Sequence, residues 1–264
     1  MDISSIIGPI AAIIFVPIIM GLLAKVKKLQ PKKTTEKSLE QLENEYSKYN
    51  THIPLILFFI FSFAIGFLIW YVLDGLYTYR ISQLADNNVY LFPLPRIAWA
   101  LPAIFMSIIL AAIPLHYLYL GLLGKERYAE YTEYTNLKHG IDGWKMLKYM
   151  SLAILPVCLV FSLLLLDSYI RVTKNTFVAN TVFSLGEKEF GFEDIKSITL
   201  TKSFKAPNGN IVRRSSYEIE FSNGYVYNLK QTASELDFEQ QQEVVNYITN
   251  NSEVIVKVND PYPN

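Results

Sequence analysis

Residues 53–73 read IPLILFFIFSFAIGFLIWYVL, an apolar run without a single charged side chain. A helix needs roughly 20 apolar residues to cross a hydrocarbon layer about 30 Å thick, and this run has that length. Three further blocks pass the same test: Ile3 to Ala24, Ile97 to Leu123 and Tyr149 to Leu166. Burying four all-round apolar helices inside a soluble protein would need a core larger than 264 residues can build. The expected architecture is therefore a membrane α-helical bundle of about four spans over residues 1–167, with loops 25–52 and 124–148 between spans. The first block lacks the basic start of a secretory signal, carrying Asp2 instead, and it ends in Lys25, Lys27 and Lys28. It reads as a retained helix.

Lysine and arginine accumulate in the loops that stay in the cytoplasm. The loop after the first span holds Lys25, Lys27, Lys28, Lys32, Lys33, Lys37 and Lys48, and the loop after the third holds Lys125, Arg127, Lys138, Lys145 and Lys148. On the other side stand only Arg80, Arg96, Arg171 and Lys174. The bias puts both basic loops in the cytoplasm, and the N-terminus and the C-terminal domain outside a bacterial cytoplasmic membrane. Trp70, Tyr71, Tyr77, Tyr79 and Trp99 then suit the outer interface, and Tyr117, Tyr119, Trp144 and Tyr149 the inner one. Within the loops, Leu39, Leu42, Tyr46 and Tyr49 recur at helical spacing, predicting an amphipathic helix over 34–49. Lys125 to Lys138 is expected to prolong the third span, stopping at Gly140, with Tyr128, Tyr131 and Tyr134 packed against that amphipathic helix.

Beyond Asp167 the apolar period changes to two. Ile170 and Val172 alternate, then Phe177, Ala179, Thr181 and Phe183, then Ile195 to Leu200, then Tyr217, Ile219 and Phe221, then Tyr225, Tyr227 and Leu229. Lys174-Asn175, Asn208-Gly209 and Asn223-Gly224 mark tight turns. A helix capped by Ser234 or Asp237 follows, with Phe238, Val244, Val245 and Ile248 as its apolar stripe; Val254 to Val258 is a short final strand or tail. The expectation for 168–264 is an α+β domain, an antiparallel meander closed by one helix.

Three segments carry a resemblance: Tyr169-Ile-Arg-Val-Thr-Lys-Asn175, Phe192-Glu-Asp-Ile-Lys-Ser-Ile198 and Tyr217 to Leu229. They look like the opening strand and turn, the acidic strand start and the later hairpin of the pleckstrin-homology-like domain of bacterial membrane proteins. The resemblance covers about residues 168–251. It implies a fold and supplies no catalytic residues; its relatives usually look cytoplasmic, whereas the charge count here points outside.

Zero formal net charge leaves no global field for nucleic acid, and the single cysteine, Cys158, excludes an internal disulfide or a Cys-based zinc site. Motifs of metalloproteases, serine hydrolases and phosphate-binding loops are absent from the sequence. His116 reads as a hydrogen-bonded interior histidine, so the expectation is a protein that is not an enzyme and holds no cofactor or metal. The spans contain no Asp, Glu, Lys or Arg, which disfavours a coupled transporter. A small channel or transporter subunit, with Pro102 and Pro114 interrupting the third span, is the alternative. A phosphoinositide site would need several converging cations, and the first turn offers only Lys174. What remains is a binding role: a scaffold or sensor presenting its domain to a protein or envelope partner, or an immunity protein against an envelope-acting toxin. The residues expected to carry it are Lys202, Lys205, Arg213 and Arg214 in the loop 202–215, with Tyr217 and Tyr225 as aromatic anchors.

The orientation is open to a direct test. A reporter fused after Asn264 should score as exported and one inserted near Glu40 as cytoplasmic. A cytoplasmic signal from the C-terminal fusion would invert the assignment.

Overall fold

In the computed structural model the uncharged run from Ile53 forms one helix that continues past Leu73 to Ser82. The structure describes residues 29–49, 51–84, 88–182, 184, 186–206, 209–230 and 236–261. The expected first span, Ile3 to Ala24, lies outside these residues, as do Phe183, Asn208 and Ser234. The chain divides into two compact units. One comprises the chain up to Asp74 together with Trp99–Ser162; the other comprises Gly75–Ala98 and the chain from Leu163 onward.

The helices are α1 (Leu39–Tyr46), α2 (Ile53–Ser82), α3 (Ala100–Leu110), α4 (Ala112–Leu123), α5 (Lys125–His139) and α6 (Gly143–Leu166). Among the described residues, three helical segments are long and apolar enough to cross a membrane: α2, Arg96–Leu123 and α6. Leu57, Phe61, Ile65 and Ile69 on one face of α2 are half-buried, while Phe63, at 78% exposure, typifies the other face, where Phe59, Phe67 and Tyr71 are also exposed. Such a surface is stable only against lipid. The second of these segments is not one regular helix. It opens with a 3-10 turn at Arg96–Trp99 and steps at Ala111 between α3 and α4. Pro114 explains the step, because it has no N–H to give the Leu110 carbonyl one turn back. Where α2 and α3 approach, a Cβ on Gly66 would lie 3.1 Å from the Ser107 hydroxyl, so the contact depends on the missing side chain.

The expected continuation of the third span beyond Leu123 is corrected. Gly124 takes φ +75, and this extended, positive-φ residue ends α4 before α5 begins. Gly140 stops α5 in the left-handed conformation, as its position predicted. The amphipathic helix is present as α1, capped by reciprocal bonds between Ser38 and Gln41. Its Leu42 and Tyr46 are fully buried with Tyr134 of α5, flanked by Tyr49, Tyr131 and Leu137. Polar contacts ring this small core. Lys37 bridges Glu45 (2.9 Å) and Glu130 (2.7 Å), the Tyr46 hydroxyl donates to Glu130 (2.6 Å), and Lys138 reaches Glu43 (2.9 Å). The buried Glu133 carboxylate accepts from the backbone N–H groups of Thr34 (2.8 Å) and Thr35 (3.0 Å), and from the Thr34 hydroxyl. Burial opposes its charge, yet these donors and Lys33 hold its titration below the usual carboxylate range. Tyr128 departs from the expected packing and turns instead to His116.

The second unit contains β1 (Tyr90–Pro93), β2 (Tyr169–Val172), β3 (Thr176–Asn180), β4 (Lys188–Gly191), β5 (Ile195–Thr201), β6 (Phe204–Lys205), β7 (Ile211–Val212), β8 (Ser216–Phe221), β9 (Val226–Asn228), α7 (Phe238–Asn250) and β10 (Val256–Asn259). One sheet has the order β1-β2-β3-β4 and is antiparallel; a second has the order β10-β5-β8-β9. A pure antiparallel meander is corrected in one respect, since β10 runs parallel to β5. The intervening α7 provides the crossover that a parallel pairing requires. Asp237 caps α7, its carboxylate accepting from Gln240 N–H at 2.8 Å. Val172, Phe177, Ile198, Ile219, Phe221, Val244 and Ile248 form the solvent-free core between sheets and helix.

The first sheet draws a strand from outside residues 168–264. β1 comes from the segment after α2, and Tyr90 and Phe92 pack on the core. Tyr77, placed by sequence at the lipid interface, is buried instead. Its hydroxyl donates to the Ser168 carbonyl (2.7 Å) and accepts from Leu94 N–H (2.6 Å), tying the last turns of α2 to the lead-in of β2 and the end of β1. Trp99 is likewise fully buried rather than interfacial.

Tyr77→Phe strips both backbone groups of this partner at once. An unsatisfied buried group costs about 1–3 kcal/mol, so the variant should lose about 2 kcal/mol or more. Thermal unfolding of the detergent-solubilised chain measures it, with the exposed Tyr79→Phe as control. Equal shifts for both would refute the assigned role.

Candidate functional site

The segment 202–215 singled out by composition forms a short hairpin. Phe204 pairs with Val212 and Lys205 with Ile211. Ala206 N–H donates to the Asn210 carbonyl (2.8 Å), and Gly209, at φ +85, turns the chain as only glycine does without strain. The base is held to the end of β10: Lys202 N–H donates to the Asn259 carbonyl (3.0 Å) and the Ser203 hydroxyl to Asp260 (2.6 Å).

Lys202, Lys205, Arg213 and Arg214 are all exposed on this hairpin and its flanks. Among the described residues, none of the four forms a salt bridge. Three other cations of the same unit are neutralised: Lys196 by Glu220 (2.6 Å), Arg171 by Glu187 (2.9 Å) and Arg80 by Asp167 (3.2 Å). A fifth cation joins the cluster that sequence reading did not place there. The Lys230 ammonium lies 5.3 Å from the centre of the Phe204 ring. Burial, and then the charge of Arg214, push its titration below the ordinary lysine value. Lys230 follows β9 and is remote in sequence, so only the pairing of strands could reveal it. Apolar surface accompanies the charge: Phe204 is 40% exposed and Ile211 54%. The result is a cationic hairpin with an exposed apolar residue on each strand, suited to an acidic surface that also offers apolar contact.

The two tyrosines predicted as anchors are placed elsewhere. Tyr217 is 5% exposed and stacks on Phe238 at 5.7 Å, while its backbone N–H donates to Gln241 (3.2 Å). It fastens α7 to β8. Tyr225 is half-buried, stacked on Phe190 at 5.2 Å, with the Lys188 ammonium 4.3 Å from its ring centre. The described ring partners of Tyr225 are Phe190, Phe221, Tyr227 and Lys188, none of them in the hairpin.

In the helical unit, His116 Nδ1 lies 2.8 Å from the Tyr128 hydroxyl, and the Trp144 ring stands edge-on to the imidazole at 4.7 Å. Among the described residues, no three His, Cys, Asp or Glu side chains converge as metal ligands would. No protein-family model matches the chain, and neither a curated protein nor a solved structure is found similar to it.

The proximity of Lys230 and Arg214 has a chemical signature. Arg214→Ser removes the repelling charge, so the Lys230 titration should rise toward its ordinary value and its free-amine fraction at pH 9 should fall. Amine-reactive labelling followed by mass spectrometry should show slower modification of Lys230, with exposed Lys196 unchanged. Unaltered labelling of Lys230 would separate the two cations.

Proposed function

We propose that this chain is a membrane-anchored binding protein. Its spans hold it in a bacterial cytoplasmic membrane, and a pleckstrin-homology-like C-terminal unit, on the outer face, presents the β6–β7 hairpin to an acidic protein or envelope partner. The reading needs no catalytic step. The observation that carries it is the clustering of Lys202, Lys205, Arg213 and Arg214, exposed and without a salt bridge among the described residues, on and beside one short hairpin, while Arg80, Arg171 and Lys196 of the same unit are paired with carboxylates. Like charges crowded without partners destabilise a surface, and an acidic partner relieves that repulsion. The two sheets closed by α7 support the pleckstrin-homology-like reading, with β1 and β10 as additions at the sheet edges. Chain connectivity suits a tethered display module, because α6 ends at Leu166 and β2 starts at Tyr169.

A polyglutamate peptide serves as acidic probe for the purified, detergent-solubilised chain. Binding should weaken with salt, and Arg213→Ser combined with Arg214→Ser should lower affinity at least about tenfold, since charge-assisted contacts are worth about 1.5–3 kcal/mol each. Lys196→Ser, which removes a paired cation, should change it little. Equal losses in both variants, or no salt dependence, would overturn the proposal.

A further inference from the structure

A cavity of about 320 Å³ opens in the helical unit, independent of the hairpin. Its walls come from the start of α2, from α4 and α5, and from the first turns of α6. By chain order the walls from α2, α4 and α6 belong to the halves of the three described spans that adjoin the basic loops.

The lining combines polar and aromatic residues, His116, Tyr128, Asn136 and Trp144, with apolar ones, Leu115, Leu147 and Met150 among them. The polar groups are already oriented. His116 Nδ1 is engaged by the Tyr128 hydroxyl, leaving Nε2 for a ligand. With the Tyr128 hydroxyl donating to Nδ1, the imidazole carries its own proton on Nε2 and is a donor there. The Asn136 carbonyl accepts from Gly143 N–H at 2.9 Å, which fixes the amide and leaves its NH2 group as a second donor. Thr132 and Thr135 donate their hydroxyl protons to carbonyls of their own helix.

None of the described lining residues carries a formal charge. Lys145, on the first turn of α6, is engaged by Asp142 at 2.8 Å. An anionic or cationic head would enter without a counter-charge, which is strongly unfavourable in an apolar cleft. Two donors, aromatic walls and an apolar remainder of the lining instead match an uncharged ring bearing carbonyl oxygens and an apolar tail. The volume falls at the lower end of the roughly 300–1,000 Å³ of small-molecule sites, enough for a ring and the start of a tail. We infer that this cavity binds a neutral, ring-headed amphiphile of the quinone class, with His116 and Asn136 donating to its carbonyl oxygens and Trp144 beside its ring.

The test uses the full chain in phosphatidylcholine nanodiscs, titrated with decylubiquinone and read by tryptophan fluorescence. Saturable quenching is expected, and Trp144→Phe should remove most of it while Trp70 and Trp99 remain. His116→Gln should weaken binding by about three- to tenfold, the worth of one hydrogen bond. Ala112→Phe, which fills the cavity, should abolish binding, and circular dichroism establishes that each variant is folded. Decyl phosphate and decanol share the tail and should not compete. Non-saturable quenching, quenching indifferent to Trp144 and Ala112, or displacement by decyl phosphate or decanol would overturn the inference.

Discussion

Hydrocarbon offers no hydrogen-bond partner to a backbone amide, so a segment that lies in it must satisfy its own polar groups. That constraint makes the uncharged run from Ile53 a helix, and it lets Phe63 and its neighbours face outward as no aqueous surface would. It also explains where irregular backbone is tolerated. At the step Pro114 has no N–H to offer the Leu110 carbonyl, yet the flanking ladder persists through Ala111 N–H to the Ser107 carbonyl and Leu115 N–H to the Ala111 carbonyl. The larger break at Gly124 falls at the end of the span, where charged and polar residues of α5 begin.

Outside the hydrocarbon, charge does the positioning. The docking of α1 on α5 combines a three-residue apolar core with a ring of ionic and tyrosyl contacts, and Glu133 receives two successive backbone N–H groups. Exposed ion pairs contribute little individually. Their role here is registration, since Lys37 and Lys138 each meet acids at set places along the facing helix or the adjoining turn. The hairpin of the second unit groups four exposed cations that form no salt bridge among the described residues, with exposed Phe204 and Ile211 on its two strands. Local folding therefore did not select those cations through pairing, and their placement is available for an external partner.

Much was legible in the sequence because it depends on local pattern. The uncharged blocks marked the three described spans, the positions of Leu42 and Tyr46 marked the face by which α1 is buried, and Asp237 and Gly140 marked helix ends through the geometry that their residue types permit. Period-two alternation marked β2, β5 and β8, and the grouping of Lys205, Arg213 and Arg214 on one hairpin followed from its turn. The strand β4 escaped because Lys188 and Glu189 leave Phe190 as its lone large apolar residue.

Contacts between distant parts of the chain had no local signal, and the tertiary structure alone decided them. Tyr77 carries the amphipathic character of an interfacial anchor, but two backbone groups brought together by β1 and β2 capture its hydroxyl. Tyr217 has the composition of a binding aromatic, but α7 folds over it. Lys230 joins the hairpin cluster, β10 pairs parallel with β5, and His116 finds Tyr128 across a helix break. Sequence determined which segments are helices in lipid and which are strands, because solvent and backbone geometry act residue by residue. Which polar side chains stay free to bind was settled only by long-range packing, because a partner remote in the chain satisfies a hydroxyl or covers a ring as well as a neighbour does.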